Sequence, residues 1–373
     1  MIANLREILD VIELVGTILC TWPIDPNASK CKSILLNIYW MFAVFSVGST
    51  ILCLLITTYY FRHDLILLTK TTCFISALSE TLLDLIICKM SSKKLQVLIE
   101  KVRKYLDTTG KDENNMIQVY VKRYKTFFST MAVAYFINGV SFFFMPLYTN
   151  QHLPLESWLP FSTDTVMKYG IVYIIQAYSS MHTALSIFVD FKIISLLCFT
   201  AARLDILNAK LKQGNSYEMM VNYIKEHQEI LRFLEDTKAA VQALLFKTNI
   251  TMGSVVIAAA FPLLYMKNPM SEPQVVYQFV CMVLAGCGHV YLISAPSDDL
   301  KESSIQFAMS VTDIQWIGKQ KNMATSVLIM LQRSQKPCLI PLGLIPPLSM
   351  EYFSQFLTTI YSYFMAIRTM IES

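Results

Sequence analysis

Seven long apolar segments constrain this chain more than any other feature of its sequence. A helix needs roughly 20 mainly apolar residues to cross the hydrocarbon core of a bilayer. Because lipid offers the backbone no hydrogen-bond partner, segments of this kind must be helical. Only 16% of the residues are charged, against roughly 25% in soluble domains. The predicted spans cover about residues 34–58, 65–88, 126–147, 169–199, 248–266, 274–295 and 348–367.

Basic residues are sorted between the two sides of these spans. Of the 31 lysines and arginines, 25 lie in the N-terminal segment and in the loops after spans 2, 4 and 6, whereas four lie in the segments on the other side. Lys- and Arg-rich loops stay in the cytoplasm. We therefore expect a cytoplasmic N-terminus and an extracellular C-terminus, which is the opposite of the topology of a G-protein-coupled receptor.

The segments outside the spans also show helical patterns. In residues 1–33, apolar residues from Leu5 to Val15 recur at helical spacing, which predicts either an amphipathic helix on the membrane or a helix packed on the protein. The loop 200–247 is expected to be helical with a break at Gly214-Asn215-Ser216, and the loop 296–346 also contains helical stretches. Helices below the membrane suit either subunit assembly or packing within one chain.

The expected fold is an all-α membrane protein with seven transmembrane helices and a cytoplasmic helical anchor bundle. Residues 34–199 hold the first four spans and residues 248–295 the next two. The loops 200–247 and 296–346 form the cytoplasmic helical bundle, and residues 1–33 form a cytoplasmic N-terminal amphipathic helix. Residues 347–373 form the last transmembrane helix and the extracellular C-terminus.

Motifs of enzyme chemistry are missing from the sequence. There is no Walker loop, no GxSxG, no HExxH and no Rossmann glycine pattern, and the five histidines are far apart in sequence. We therefore predict no enzyme activity, no metal and no cofactor. The basic loops lack the interleaved aromatic residues of a nucleic-acid surface, so no nucleic-acid partner is expected.

Four ionisable residues lie inside predicted spans, where such groups are costly and often functional. Glu80 and Asp84 are one turn apart on span 2, and Asp190 and Lys192 lie on span 4. A polar cluster between spans 2 and 4 would satisfy them. We favour a structural clamp over an ion pathway. Lys70, near the end of span 2 that we place outside, is expected to extend its ammonium to water.

Several short motifs together resemble the insect odorant receptor family over nearly the whole chain. The order of the motifs, with the chain length and the inverted topology, carries the resemblance. One departure is a missing tyrosine where many members have Ala-x-Tyr before a tryptophan, because here Ala308-Met309-Ser310 precedes Trp316. The motifs are Gly16 with Trp22-Pro23, His227-Gln228 with Ile230-Leu231, Gln332-Arg333-Ser334-Gln335-Lys336-Pro337, Pro347-Leu348-Ser349-Met350-Glu351-Tyr352-Phe353, and Tyr361-Ser362-Tyr363-Phe364.

The resemblance implies a ligand-gated, non-selective cation channel in the plasma membrane of sensory neurons. It implies a variable odorant-tuning subunit that forms a heterotetramer with a common co-receptor subunit. The last helix of each subunit would line a central pore, and the intracellular helices would form most of the subunit contact. The expected partners are this co-receptor, a small hydrophobic odorant and membrane lipid.

The last span is expected to carry the gate. Ser349 is a good N-cap, and Glu351 lies in the first turn, where the helix dipole favours an anion. The resemblance to the family's C-terminal pattern places Ala366, Thr369 and Met370 at a narrow outer gate, where a ring of apolar side chains can close a pore by dewetting. Alternatively, Met370 simply packs against span 6.

The resemblance also implies a ligand pocket in the outer half of the bundle, among spans 2 to 6. Aromatic and methionine side chains would form an apolar and adaptable cavity with a few hydroxyl groups. For each aromatic residue, contact with lipid or packing in the core is the alternative. The candidates are Phe74, Phe136, Val140, Phe143, Tyr173, Ala177, Tyr178, Met181 and Tyr277.

Two further classes of membrane protein compete with this interpretation. Gustatory receptors share the topology, but their last span carries Thr-Tyr, apolar residues and Gln-Phe, whereas this chain has Ile360-Tyr361-Ser362-Tyr363-Phe364. A transporter would show internal repeats and broken helices at mid-membrane, and neither pattern is visible.

Overall fold

The computed structural model describes residues 4–24, 28–148, 151–213, 216–265, 273–314, 321–343 and 345–372. Nearly all of this described part is helical. The elements are α1 (Leu5–Ile18), α2 (Lys30–Tyr60), α3 (Leu65–Met90), α4 (Ser92–Thr108), α5 (Lys111–Tyr148), α6 (Val166–Leu185), α7 (Ile187–Gln213), α8 (Tyr217–Tyr265), α9 (Pro273–Thr312), α10 (Lys321–Ser334), β1 (Ile340–Leu342), β2 (Ile345–Leu348) and α11 (Met350–Glu372).

Six helical segments of the described chain are long and apolar enough to cross a membrane, and they overlap the first six predicted spans. The seventh span lies in α11, which has 23 residues and would measure about 35 Å at 1.5 Å per residue. This helix is more polar, because serine, threonine and glutamine recur along it. The six segments are Lys30–Tyr60, Leu65–Met90, Lys111–Leu147, Val166–Gln213, Tyr217–Leu263 and Val275–Thr312.

Three helices continue well beyond the spans predicted within them. The helices α5, α8 and α9 contain 38, 49 and 40 residues, about twice the length that a bilayer requires. Their extensions meet α1, α4, α10 and the second half of α7 at one end of the molecule, which holds most of the lysines and arginines. We call this part the basic end. The segments 204–213 and 217–246 are helical, on either side of the expected break.

The predicted fourth span is divided at Ser186. The helix α6 ends at Leu185 and α7 begins at Ile187, although the sequence indicated one continuous helix. The Ser186 hydroxyl donates to the Thr183 carbonyl oxygen at 2.8 Å. A serine side chain that competes for backbone groups in this way weakens helical continuity.

The helix α7 forms the centre of the core. Its side chains are buried from Ile187 to Ala202 except Phe188, which explains why apolar residues occur on every face of this segment. Phe199 meets the rings of Tyr105 on α4 and Phe233 on α8, each with a centroid distance of 5.4 Å.

The N-terminal helix packs on protein, which resolves one alternative left open by the sequence. Leu5, Leu9 and Ile12 are buried in the main core cluster. On the other side of α1, Arg6 pairs with Asp107 of α4 at 2.7 Å. An apolar face that covers α7 therefore accounts for the helical spacing in this segment.

A β-hairpin precedes the last helix and was not predicted from the sequence. Ile340 pairs with Leu348, and Leu342 pairs with Ile345. Gly343 in the turn has φ +77°, a conformation that favours glycine. Just after the hairpin, the Ser349 hydroxyl accepts a hydrogen bond from the Tyr352 amide at 3.1 Å, which confirms the predicted N-cap of α11.

Candidate ligand pocket, last helix and buried charge cluster

An aromatic contact joins two of the predicted pocket residues. Phe143 of α5 and Tyr173 of α6 meet edge to face with a centroid distance of 5.8 Å. The Tyr173 hydroxyl donates to the Phe143 carbonyl oxygen. A third ring, Tyr169, lies one turn away on α6 at 5.8 Å from Tyr173. This pair therefore brings together residues that are 30 positions apart in sequence.

The helices α5 and α6 approach closely at Gly139. A Cβ atom built on Gly139 would lie 2.7 Å from the Ala184 Cβ and 3.1 Å from the Met181 Sδ, so no larger residue fits without a shift. This approach places the predicted pocket residue Met181 against Gly139 of α5. The next residue of α5 is Val140, another predicted pocket residue, which is half-buried. Ala177, one turn before Met181, is buried.

Phe74 belongs to a neighbouring group of aromatic and aliphatic side chains. Its ring meets Phe142 of α5 edge to face at 5.4 Å. It packs against a small core cluster that includes Val47 of α2, Leu78 of α3 and Leu155. Phe142 was not among the residues predicted from the sequence, although it precedes Phe143.

The remaining predicted pocket residues lie elsewhere on the bundle. Tyr178 points to α2, where its ring centroid is 5.3 Å from that of Phe42 and 6.4 Å from that of Tyr39. Phe136 and Tyr277 are 50% and 72% exposed. The structure therefore brings Phe143 into contact with Tyr173, and it packs Met181 against α5. Tyr178 contacts α2 and is separate from these two contacts.

The segment between α5 and α6 packs against α2 and α6. Gln176 of α6 accepts a hydrogen bond from the Leu155 amide at 3.0 Å and donates to the Ser157 hydroxyl at 2.8 Å. The Trp158 amide donates to the Thr57 hydroxyl at 2.6 Å. These contacts were missed from the sequence, although a glutamine inside an apolar span was a usable signal.

Lys70 forms a salt bridge in this region. Its ammonium is 3.0 Å from the Glu156 carboxylate, where the sequence indicated exposure to water. Trp158, two residues further on, stacks on Tyr60 with a centroid distance of 5.4 Å. The segment 155–158 is thus attached to α2, α3 and α6.

The last helix is bound on one side only. Phe353 meets Tyr291 of α9 with a ring distance of 5.5 Å, and Phe356 lies 3.7 Å from a Cβ built on Gly253 of α8. The opposite side is exposed. It carries a groove of about 370 Å³ lined by Thr358, Thr359, Ser362, Tyr363 and Ala366.

The predicted gate residues lie at the far end of α11. Ala366 and Thr369 are exposed, and the Thr369 hydroxyl donates to the Ala366 carbonyl oxygen at 2.8 Å. Met370 belongs to α11, but its side chain is outside the described part of the structure, as is all of Trp316.

The expected polar cluster exists, with partners that the sequence did not indicate. Glu80 and Asp84 face Lys247 of α8, with O–N distances of 2.6 and 2.9 Å. The Asp190 carboxylate is 2.6 Å from His289 Nε2 of α9. The sequence places Lys247 in the loop 200–247 and indicates no partner for His289, so it did not predict the contributions of α8 and α9.

Lys192 lies apart from these carboxylates. Its ammonium donates to the Thr21 carbonyl oxygen at 2.9 Å and lies 3.6 Å from the Cys88 Sγ. His182 Nε2 is 3.1 Å from the Leu19 carbonyl oxygen. Two polar side chains of spanning helices therefore bind the segment that follows α1.

A second groove lies at the basic end, between α8 and α10. It has a volume of about 480 Å³, and its lining includes His227, Leu231, Arg232, Met330 and Arg333. His227 stacks near Phe307 with a centroid distance of 4.6 Å. Burial, together with the positive charge of Arg333, lowers the pKa of His227 to about 4.

Taken together, these elements define a multi-pass membrane protein with aromatic contacts from α5 to α3 and α6 and with a last helix that is exposed on one side. Residues 64–361 match the family described as 7tm Odorant receptor, and the chain belongs to this family. Its relatives are receptors and not enzymes.

Two curated relatives illustrate the extent of the similarity. The chain is 21% identical to Odorant receptor 13a of Drosophila melanogaster over 390 residues, which covers 94% of this chain and 92% of that protein. It is 20% identical to Odorant receptor 10 of Aedes albopictus over 295 residues, which covers 74% and 77% of the two chains.

Solved structures share the fold. The insect olfactory receptor OR5 from Machilis hrabei superposes with a TM-score of 0.77 at 16% identity, over 97% of this chain and 98% of that one. The same receptor in complex with eugenol gives 0.78 at 15% identity, over 98% of each chain.

Proposed function

We propose that this chain is the odorant-tuning subunit of a ligand-gated, non-selective cation channel. The observation that carries the proposal is the exposed polar side of α11. A helix of membrane length that presents Gln355, Thr358 and Ser362 is less favourable against lipid than against water, since lipid offers no partner to the side-chain amide or to the free lone pairs of the hydroxyl oxygens. Facing the equivalent helices of other subunits around a central axis, the same side would meet water.

The hydroxyl groups on α11 suit a water-filled path. The Ser362 hydroxyl donates to the Thr358 carbonyl oxygen at 2.9 Å, and Thr358 donates in the same way to Ser354. Their oxygen lone pairs remain available to water. Further along, Ala366, Thr369 and Met370 would form the gate, with Met370 closing the path by dewetting.

The odorant site is proposed among the predicted pocket residues, centred on Phe143, Tyr173 and Met181. A small and mostly neutral odorant would bind mainly by burial of apolar surface, at roughly 25 cal/mol per Å². One related fold was solved in complex with eugenol, which is a ligand of this chemical class. Non-directional contacts of this kind give modest affinity and broad tuning.

Ligand binding opens the channel only if the open arrangement binds the odorant better than the closed one. In this proposal, filling the pocket shifts α8 and α9 relative to α11 and widens the ring at Met370. The basic end lies in the cytoplasm, since 25 of the 31 basic residues are on that side. The C-terminus is therefore extracellular.

The test is an odorant panel applied to cells that express the chain with and without a common co-receptor subunit. We expect odorant-evoked cation current only when both subunits are present in the plasma membrane. Current without the co-receptor would contradict the tuning-subunit assignment. Saturable uptake without ionic current would instead support a transporter. A tag after Ser373 should be accessible on intact cells.

A further inference from the structure

Lys247 is the cation of a buried charge cluster that joins four helices. Its ammonium lies between Glu80 and Asp84 of α3, at 2.6 and 2.9 Å, and the three side chains are at most 5% exposed. Glu80 also accepts hydrogen bonds from the hydroxyls of Thr248 and Thr251 of α8. Each of these four contacts crosses from α3 to α8.

A second pair extends the cluster to α7 and α9. The carboxylate of Asp190 is 2.6 Å from His289 Nε2, and both side chains are at most 4% exposed. Glu80, Asp190 and His289 each place one ligand atom within 4.8 Å of the others. Because the ammonium of Lys247 is already 2.6 Å from Glu80, it supplies the positive charge there that a metal ion would supply.

The cluster contains more acidic than basic side chains. Three carboxylates, from Glu80, Asp84 and Asp190, face one ammonium and one imidazole. A buried charge that loses its partner is strongly destabilising, so any movement that takes Lys247 away from the carboxylates is opposed. The segments of α3 and α8 around the cluster must therefore move together.

On one side the cluster leads to the proposed odorant site. Phe74 precedes Glu80 by six residues on α3, or about 9 Å along the helix axis. Between them, the Ser254 hydroxyl of α8 donates to the Ser76 hydroxyl at 3.1 Å. A displacement of α3 near Phe74 is thus carried to α8 by polar contacts.

On the other side the cluster leads to the last helix. Gly253, six residues after Lys247 on α8, lies against Phe356 of α11. Tyr291, two residues after His289 on α9, meets Phe353 at 5.5 Å. The two helices that supply Lys247 and His289 are therefore the ones that hold α11.

We propose that Lys247 is a positioning residue for gating, which locks α3 to α8 so that odorant binding moves α11. The inference rests on the proposed channel function and deepens it. In this proposal Lys247 contacts neither the odorant nor the pore. Its role is to make the displacement of α3 and of α8 one movement.

The experiment compares Lys247→Met with Lys238→Met in the receptor assembled with its co-receptor. Lys238 is the matched control, because it is also on α8 but forms its ion pair with Glu235 of the same helix, at 2.9 Å. Two quantities are measured for each variant: the odorant-induced rise in melting temperature of the purified complex, and the odorant-evoked current per surface receptor.

For Lys247→Met we expect the odorant concentration that gives half of the rise in melting temperature to stay within about threefold of the parent value. The odorant-evoked current per surface receptor should fall at least about tenfold. Lys238→Met should retain both. A milder variant, Glu80→Gln, keeps the hydrogen-bonding shape and should lower the current by a smaller factor, which preserves the test if Lys247→Met folds poorly. The exchanged pair Glu80→Lys with Lys247→Glu should recover current relative to either single variant.

Parallel loss of odorant binding and current in both Lys247→Met and Glu80→Gln would assign the cluster to stability alone and overturn the proposal. Unchanged current in Lys247→Met would overturn it as well, with the channel function left standing. Absence of odorant-evoked current from the unaltered chain with its co-receptor would remove the channel function itself, and the positioning role with it.

Discussion

Tyr173 donates its phenolic hydrogen to the carbonyl oxygen of Phe143, and the two rings meet edge to face with centroids 5.8 Å apart. One residue thus contributes a hydrogen bond and a ring contact between α5 and α6. The two contributions can be separated by substitution of Tyr173. Phenylalanine keeps the ring contact and removes the hydrogen bond, whereas alanine removes both.

Tyr173→Phe should raise the odorant concentration for half-maximal current by about 2- to 10-fold, and Tyr173→Ala by more. The loss of one hydrogen bond costs about 0.5–1.5 kcal/mol, whereas alanine also removes the ring surface. Concentration–response curves measure both. Tyr169→Phe is the control, since its hydroxyl binds the His152 carbonyl oxygen. Equal curves for Tyr173→Ala and the parent would exclude this site.

Gly139→Ala should lower the melting temperature of the purified receptor. The added Cβ would be 2.7 Å from the Ala184 Cβ, and overpacking of this kind costs about 1–3 kcal/mol. Helix propensity opposes this effect by up to about 1 kcal/mol. Gly170→Ala is the control, because its added Cβ has no neighbour within 4 Å. A higher melting temperature for Gly139→Ala would contradict the close approach of α5 and α6.

Met370→Ala should raise the resting current and reduce the relative increase on odorant addition. In the proposed gate, removing the apolar side chain widens the ring and lets water enter. Patch-clamp recording from cells that also express the co-receptor measures both currents. Met365→Ala is the matched control, because Met365 is five residues away on another face of α11. If neither resting nor evoked current changes in Met370→Ala, Met370 is not the gate.

The stability of the receptor should fall as the pH drops from 6.5 towards 4, in part because of His227. Burial and the charge of Arg333 lower the pKa of His227 from 6.5 to about 4 in the folded protein. Below pH 6.5 the unfolded chain binds a proton at this residue that the folded protein does not yet bind, which favours unfolding. Below about pH 4 this contribution levels off.

Melting temperatures of His227→Gln and the parent, recorded in detergent from pH 7 to pH 4, measure that contribution. The variant should lose less stability over this interval. His63→Gln provides the control, because His63 is exposed. Parallel curves for the parent and His227→Gln would show that His227 does not contribute.

Sequence reasoning located the membrane helices but not their full extent. The span predicted at 65–88 is α3, which ends at Met90, whereas the span predicted at 248–266 is only the last part of α8. Hydropathy marks where a helix meets lipid, and it does not mark where the helix continues into a polar bundle. The hairpin before α11 was also missed, because its four- and three-residue strands are too short to show a period.

The directions in which the candidate site residues point could not be predicted from the sequence. Tyr173 and Tyr178 are five residues apart on α6, and the structure turns the first towards α5 and the second towards α2. A sequence shows the angle between two side chains on one helix, but not the rotation of that helix relative to its neighbours. This rotation depends on contacts such as Gly139 with Ala184, which are remote in sequence.

By itself the sequence determined that the chain crosses a membrane with helices, since its apolar segments have no other stable form in lipid, and that its motifs follow those of odorant receptors. Only the tertiary structure decided which charges meet. Glu80 and Lys247 are 167 positions apart, and no periodic pattern connects them. Their pairing depends on how α3 packs against α8, because a short-range ionic contact exists only once both helices are in place.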